Sequence, residues 1–232
     1  MLGLCYVKCR VKNGLRYRRL IRNKKEAIHL PAHRIDKNME HLEENKNMEF
    51  KKYAFGVDIG GTTCKIGFFD TTGVLLEKWE IPTDTSNAGV EILQDVAKSV
   101  IKKMEQEKIT INDVEGVGVG VPGPVTDFRI VHGCENLGWE TVDVATELEN
   151  LLGLSVKVEN DANMAVLGEM YKGGGCGSKN LILVTLGTGV GSGIVCGGNI
   201  ITGHDGAAGE IGHMVVDMEE TVQCSCGKYG CL

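Results

Sequence analysis

Apolar residues alternate through Tyr53, Phe55, Val57 and Ile59, a period of two that predicts a half-buried strand over about 52–58. The chain then breaks into glycine. DIGGTTCKIGFFD carries a second strand, a turn follows at Thr71–Gly73, and VLLEKWE returns as a third. From Ala88 to Lys108 the period changes, with Leu93, Val96, Ala97, Val100, Ile101 and Met104 at the spacing of a helix that packs one face on a sheet. VEGVGVGVPGPVTDFRIVHG reads as a buried strand ending in Pro and Gly, then a short strand, and Thr141–Leu152 as a second helix. LSVKVENDANMAVLGEMY gives a strand that runs straight into a helix. After the loop GGGCGSKN, Leu181–Leu186 and Gly193–Cys196 read as two buried strands around a hairpin of Gly187, Thr188 and Gly189. The pattern is that of an α/β chain whose halves repeat one plan: strand, glycine-threonine hairpin, strand.

Composition sharpens this picture in two places. Glycine supplies 32 of 232 residues, about twice its usual share, as expected of tight turns and sites lined by backbone. Charge is uneven. Residues 1–47 hold 12 Lys or Arg against 5 Asp or Glu, so a segment near +7 precedes a remainder near −13 in a chain of net charge −6. RYRRLIRNKK could be a nucleic-acid arm, but the segment has no helix-turn-helix pattern and ends in the polar tract HLEENKNMEF. The expectation is a basic extension over 1–47 ahead of a core that starts at Met48, with no nucleic-acid partner. No apolar run approaches the roughly 18–20 residues that cross a bilayer, and the first residues lack the apolar core of a secretory signal. Together with nine cysteines, an odd number, this makes the cytoplasm the expected location and leaves no membrane partner.

The chemistry is concentrated in a few segments. His213, Cys224, Cys226 and Cys231 form a soft set of one imidazole and three thiols that can close on a tetrahedral zinc ion. All four positions are protein ligands, so such an ion is structural; the alternative is buried thiols or a disulfide pair. The amides of the first glycine turn, with the hydroxyls of Thr62 and Thr63, can wrap phosphate oxygens, and Asp58 can face magnesium. Gly56 and Gly61 have P-loop spacing, but Thr62 and Thr63 follow where Lys and Ser or Thr are required, so that motif fails. GVGVPG matches GxGxxG, yet Pro122 and Pro124 flank the last glycine and no helix starts there. Gly123 and Asn136 are better placed to line a pocket. Asp161 is either a pocket carboxylate able to accept a hydroxyl proton or the N-cap of the helix that follows. Because the glycine-threonine loop occurs twice, two such loops could clamp the phosphates of a nucleotide between lobes.

These segments together resemble the ROK family of sugar kinases and related repressors, and within it the bacterial glucokinase branch. The resemblance rests on DIGGTTCKIG, VGVPGPV, ENLGW, ENDAN, LGTGVGSGIV and GEIGH with CSCGKYGCL, and it runs from about Lys52 to Leu232. It implies an actin-like (ribonuclease H-like) ATPase fold of two lobes, the first over 48–160 with one phosphate loop and the second over 161–232 with the other and the zinc motif. It further implies ATP-dependent phosphorylation of a hexose, most often D-glucose at O6, with Mg2+ and a structural Zn2+ as cofactors. Asp161 becomes the general base. Asn160, Asp161, Glu210 and His213 would hydrogen-bond the sugar, with Gly123 and Asn136 beside them. One ring nitrogen of His213 would bind zinc while the other meets a sugar hydroxyl. Asp58, Gly60, Gly61, Thr62, Thr63, Lys65, Gly187, Thr188 and Gly189 would serve the nucleotide phosphates.

Measured against the family pattern, the sequence stops at Leu232, just after CxCGxxGC and before a sugar-binding Glu. The expectation is therefore a second lobe left incomplete, apolar strands exposed near Gly187–Gly193, and an activity and homodimeric state that belong to a full-length parent. A sugar-sensing repressor, or a kinase for N-acetylmannosamine, fructose or allose, are the alternatives that the same motifs leave open.

Overall fold

The computed structural model describes residues 51–187, 189–224 and 226–232. The expected basic extension over 1–47, and Thr188 of the second hairpin, lie outside the described residues.

Three strands follow the alternating pattern: β1 (Tyr53–Ile59), β2 (Thr63–Asp70) and β3 (Leu75–Pro82). They form an antiparallel meander. Beyond β1 the sheet continues with β4 (Val114–Val121) and β8 (Val156–Asn160), both parallel to it, in the order β3-β2-β1-β4-β8. The register aligns Val57 with Val119 and Val119 with Val158, all fully buried. On that face Phe55, Val57, Ile59, Val117, Val119, Val121 and Val158 join one core with Val96 and Val100 of helix α1 (Ile92–Glu107) and Ala145 and Leu148 of helix α2 (Val144–Leu152). Each such aliphatic side chain contributes ~1.5–3 kcal/mol by leaving water, so the pattern alone accounts for why these elements associate.

Both helices start later than their periodicity suggests. Asn87 and Ala88 have φ of 50° and 57° and Gly89 has φ of 65°, a left-handed turn that no right-handed helix can include. A side chain at Gly89 would run into the Leu137 carbonyl and the Trp139 indole, so this turn is packed directly under the ENLGW segment. The first part of the expected second helix is instead a strand, β7 (Trp139–Asp143), whose β-branched Thr141 and Val142 pair with His132 and Val131 of β6 (Ile130–Cys134). Asp143 then starts α2, its carboxylate accepting from the Thr146 amide at 2.9 Å. With β5 (Val125–Thr126) these strands make a small antiparallel sheet.

After β8, helix α3 (Asp161–Lys172) leads to a second meander of β9 (Leu181–Leu186), β10 (Val190–Cys196) and β11 (Asn199–Ile200), which repeats the plan of β1-β2-β3. Gly193 lets α3 lie close on β10, since a Cβ there would meet the Ala162 carbonyl at 2.7 Å. The expectation of two buried strands fails for β9. Ile182, Val184 and Leu186 are 62%, 45% and 83% exposed, because α3 covers only the opposite face. This is the apolar exposure that the family pattern implies near the second hairpin.

Candidate active site

The strands β1, β4 and β8 run parallel, so their carboxyl ends open on one edge of the sheet, the place where sheets of this kind take ligands. That edge carries Asp58 from β1 with Gly60 just past it, Gly123 just past β4, and Asn160 at the end of β8 with Asp161 just past it. The register sets Lys65, Asp58, Gly120 and Glu159 in one row across four neighbouring strands. Burial pushes the Asp58 carboxyl above the usual carboxylate range; Lys65 opposes this, and the negative charge of Asp161 adds to it.

The first glycine turn is held from behind. The Thr83 hydroxyl donates to the Gly60 carbonyl at 2.7 Å, and the Thr83 amide donates to the Thr62 carbonyl at 3.0 Å. With those carbonyls engaged, Gly61 and Thr62 face solvent. A Cβ on Gly61 would lie 3.4 Å from the Asn136 carbonyl, so the turn touches the segment singled out for the sugar. Asn136 itself is exposed, on the short turn that joins β6 to β7.

At the β8–α3 junction the N-cap is Asn160, not Asp161. Its Oδ1 accepts from the amides of Ala162 and Asn163 at 2.9 and 3.2 Å, and its Nδ2 donates to the Gly123 carbonyl at 3.2 Å. Three of the bonds that Asn160 can make are thus internal, which leaves one amide hydrogen for a ligand. Asp161 is released from capping. It is open to solvent on one side and surrounded by protein on the others, and this loss of water raises its pKa against the opposing N–H of Ala162.

The second hairpin meets this junction through α3, a Cβ on Gly191 lying 3.6 Å from the Ala162 Cβ. The Ser192 hydroxyl donates to the Gly209 carbonyl, and Gly212 packs against Val190 with no room for a side chain. The 209–213 segment is thereby fastened to β10, with Glu210 exposed and His213 half-buried in the turn it begins. Gly187 donates its amide to the Gly189 carbonyl at 3.0 Å.

His213, Cys224, Cys226 and Cys231 do come together. Their ligand atoms all lie within 4.8 Å of one another, with Nδ1 of His213 3.6 Å from Sγ of Cys224 and the Cys226 and Cys231 sulfurs 3.6 Å apart. A tetrahedral zinc with Zn–S bonds of about 2.3 Å has S–S edges of about 3.8 Å, close to the two 3.6 Å contacts, so this donor set suits that ion. Cys224 is drawn down to about 6, first by the Cys226 amide, whereas Cys231 is pushed up to about 11 by loss of water and then by Cys226 and Cys224. One thiolate is favoured and further ones repel it, a conflict that a divalent cation removes.

Sequence reasoning missed Glu159 and the capping role of Asn160. Alternation with Val156 and Val158 would have placed Glu159 on the face away from the core, but only the register sets it in line with Asp58.

The sequence pattern of the ROK family matches residues 54–232. The chain belongs to the ROK family. A glucokinase of Halalkalibacterium halodurans is 45% identical over 182 residues, covering 78% of this chain and 55% of that protein. The crystal structure of a ROK family glucokinase from Streptomyces griseus in complex with glucose and AMPPNP superposes with a TM-score of 0.66 at 37% identity, over 77% of this chain and 55% of that one. A xylose repressor of Caldicellulosiruptor bescii is 33% identical over 182 residues, covering 76% of this chain and 44% of that protein. The fold of this ROK chain is accordingly the actin-like (ribonuclease H-like) ATPase fold, and the chain spans about half the length of the curated relatives it matches. Among the described residues no helix is long and apolar enough to cross a membrane.

Proposed function

We propose that this chain carries the sugar-side and phosphate-side residues of an ATP-dependent hexose kinase that converts D-glucose to glucose 6-phosphate. The observation that carries the reading is the convergence at one sheet edge of an uncapped, partly desolvated Asp161, the Asp58–Lys65 pair and a glycine turn in contact with Asn136.

Asp161 accepts the proton of the sugar hydroxyl as that oxygen bonds to the γ-phosphorus of ATP and the bond from that phosphorus to the β,γ-bridging oxygen breaks, releasing ADP. Its raised pKa makes it a stronger base than a free aspartate. Asn160 and Asn136, with Glu210 and His213 from the second half, orient the hydroxyls. Gly60, Gly61, Thr62 and Thr63 on one side and Gly187, Thr188 and Gly189 on the other hold phosphate oxygens, with Lys65 countering their charge. Magnesium held near Asp58 supplies charge neutralisation of the phosphates when bound. His213 Nδ1 and the three cysteines would hold zinc, which would supply a fixed ring angle and leave Nε2 of His213 for a ligand.

The test is ADP release by the purified chain with magnesium and ATP, with and without D-glucose, together with its zinc content. Glucose-dependent ADP supports the reading; glucose-independent or absent ADP from folded, zinc-loaded protein defeats it for this chain. The likeness to a xylose repressor favours a sugar-sensing role as the second reading, which predicts sugar binding without turnover. N-acetylmannosamine, fructose and allose in the same assay decide which hexose is preferred.

A further inference from the structure

Glu159 is a carboxyl group where solvent is almost absent, 3% exposed at the end of β8. Burying such a group is costly unless its oxygens are used. It stands in the row of Lys65, Asp58 and Gly120, and since adjacent strands lie ~4.8 Å apart it is roughly 10 Å along that row from Asp58, with only a glycine between. Burial raises its pKa, opposed by the two N–H groups it accepts.

Those two groups flank Asp161. Oε1 of Glu159 accepts from the Asn160 amide at 2.8 Å and from Nδ2 of Asn163 at 3.1 Å. Asn163 is 1% exposed, and its Oδ1 is buried without a hydrogen-bond partner, so the contact to Glu159 is what orients this side chain. Asn160 in turn caps Ala162 and Asn163 and reaches across to Gly123. One buried oxygen therefore joins the last residue of the strand to a side chain in the first turn of α3. The Asp161 carboxylate lies between these anchors and accepts only locally, from the Ala162 amide at 2.7 Å.

We propose that Glu159 is a positioning residue for phosphoryl transfer: by holding Asn160 and Asn163 on either side of Asp161, it fixes the direction in which the Asp161 carboxylate meets the sugar hydroxyl. The inference rests on the reading of Asp161 as the general base. It requires an acceptor oxygen at this position. Glutamine supplies one, whereas leucine fills much the same space without it.

Three variants test it, Glu159→Gln, Glu159→Leu and Asn163→Ala, the last removing the other end of the contact so that the question stays decidable should Glu159→Leu not fold. Each is assayed for glucose-dependent ADP release, zinc content and hydrogen exchange at the Ala162 and Asn163 amides. Glu159→Gln is expected to stay within about threefold of the parent, while Glu159→Leu and Asn163→Ala lose about ten- to hundredfold in kcat with a smaller change in KM for glucose, the scale of a misdirected catalytic group. Exchange at the two amides should rise about tenfold or more in the latter pair only. Variants with parental kcat and protection, or a Gln variant as impaired as Leu, overturn the proposal. A parent chain that releases no ADP overturns the kinase reading instead; the exchange comparison then decides the clamp, upheld if only Leu and Ala lose protection and overturned if they do not.

Discussion

The side-chain amide of Asn160 donates to the carbonyl of Gly123, 37 residues earlier, at 3.2 Å. This bond ties the end of β8 to the loop after β4, and with the two amides that Asn160 caps it makes this residue the joint of the candidate site. Asn160→Ala should cost about 1–2 kcal/mol for the lost cap. Asn160→Asp keeps the cap but gives Gly123 no donor and sets another carboxylate beside Asp161, so it should also be destabilised, and more so at neutral than at acid pH. Chemical denaturation of both variants at two pH values checks this.

Asp161→Asn should lower glucose-dependent turnover by about 10²–10⁴-fold while sugar binding persists, the range for loss of a general base. Turnover needs the ionised carboxylate, and burial raises its pKa, so the acid limb of kcat/KM against pH should fall above the ordinary aspartate value of about 3.9. The same sign applies to stability. A folded-state pKa above the unfolded one contributes stability below the unfolded value, and that contribution is lost as pH rises through the folded value. Asp161→Asn should therefore be more stable than the parent at neutral pH and lose that advantage on acidification, as read by thermal unfolding across the range.

Zinc analysis of the purified chain should find the metal, and a chelator should remove it with a fall in Tm. Cys226→Ser should behave like the chelated protein. Because the cluster is pinned by the Val215–Cys231 and Gln223–Tyr229 bridges, the loss should spread through 213–231, which amide exchange can map. Unchanged Tm after complete zinc removal would contradict a structural role.

Two strained positions offer gains. Lys108 closes α1 with φ of 56°, and Ala88 sits at φ of 57°. Glycine removes a left-handed Cβ penalty of about 1–2 kcal/mol there against about 0.5–1 kcal/mol of added chain entropy, so Lys108→Gly and Ala88→Gly should each stabilise by up to about 1 kcal/mol in equilibrium unfolding.

The outward face of β9 presents Ile182, Val184 and Leu186 together. Such a face promotes association. Val184→Lys with Leu186→Lys should reduce dye binding and light scattering while changing stability by no more than about 0.5 kcal/mol per site, as for exposed positions generally.

Local spacing in the sequence was sufficient for the three meander strands, for the body of α1, for the two glycine hairpins and for the donor set His213, Cys224, Cys226 and Cys231, since period and donor type are written into neighbouring residues. It could not decide that residues 87–89 turn left-handed, because the cause is Leu137 and Trp139 pressing on Gly89 from some 50 residues away. Nor could it choose between Asn160 and Asp161 as the cap. Both side chains can cap a helix, and the choice follows from Gly123 engaging the amide of Asn160. The row of Lys65, Asp58, Gly120 and Glu159 is likewise a product of strand register, and register is set by how the buried valines of β1, β4 and β8 meet across the sheet. Sequence thus determined which chemistry the chain carries; the packing of distant segments decided which of those groups are left free to perform it.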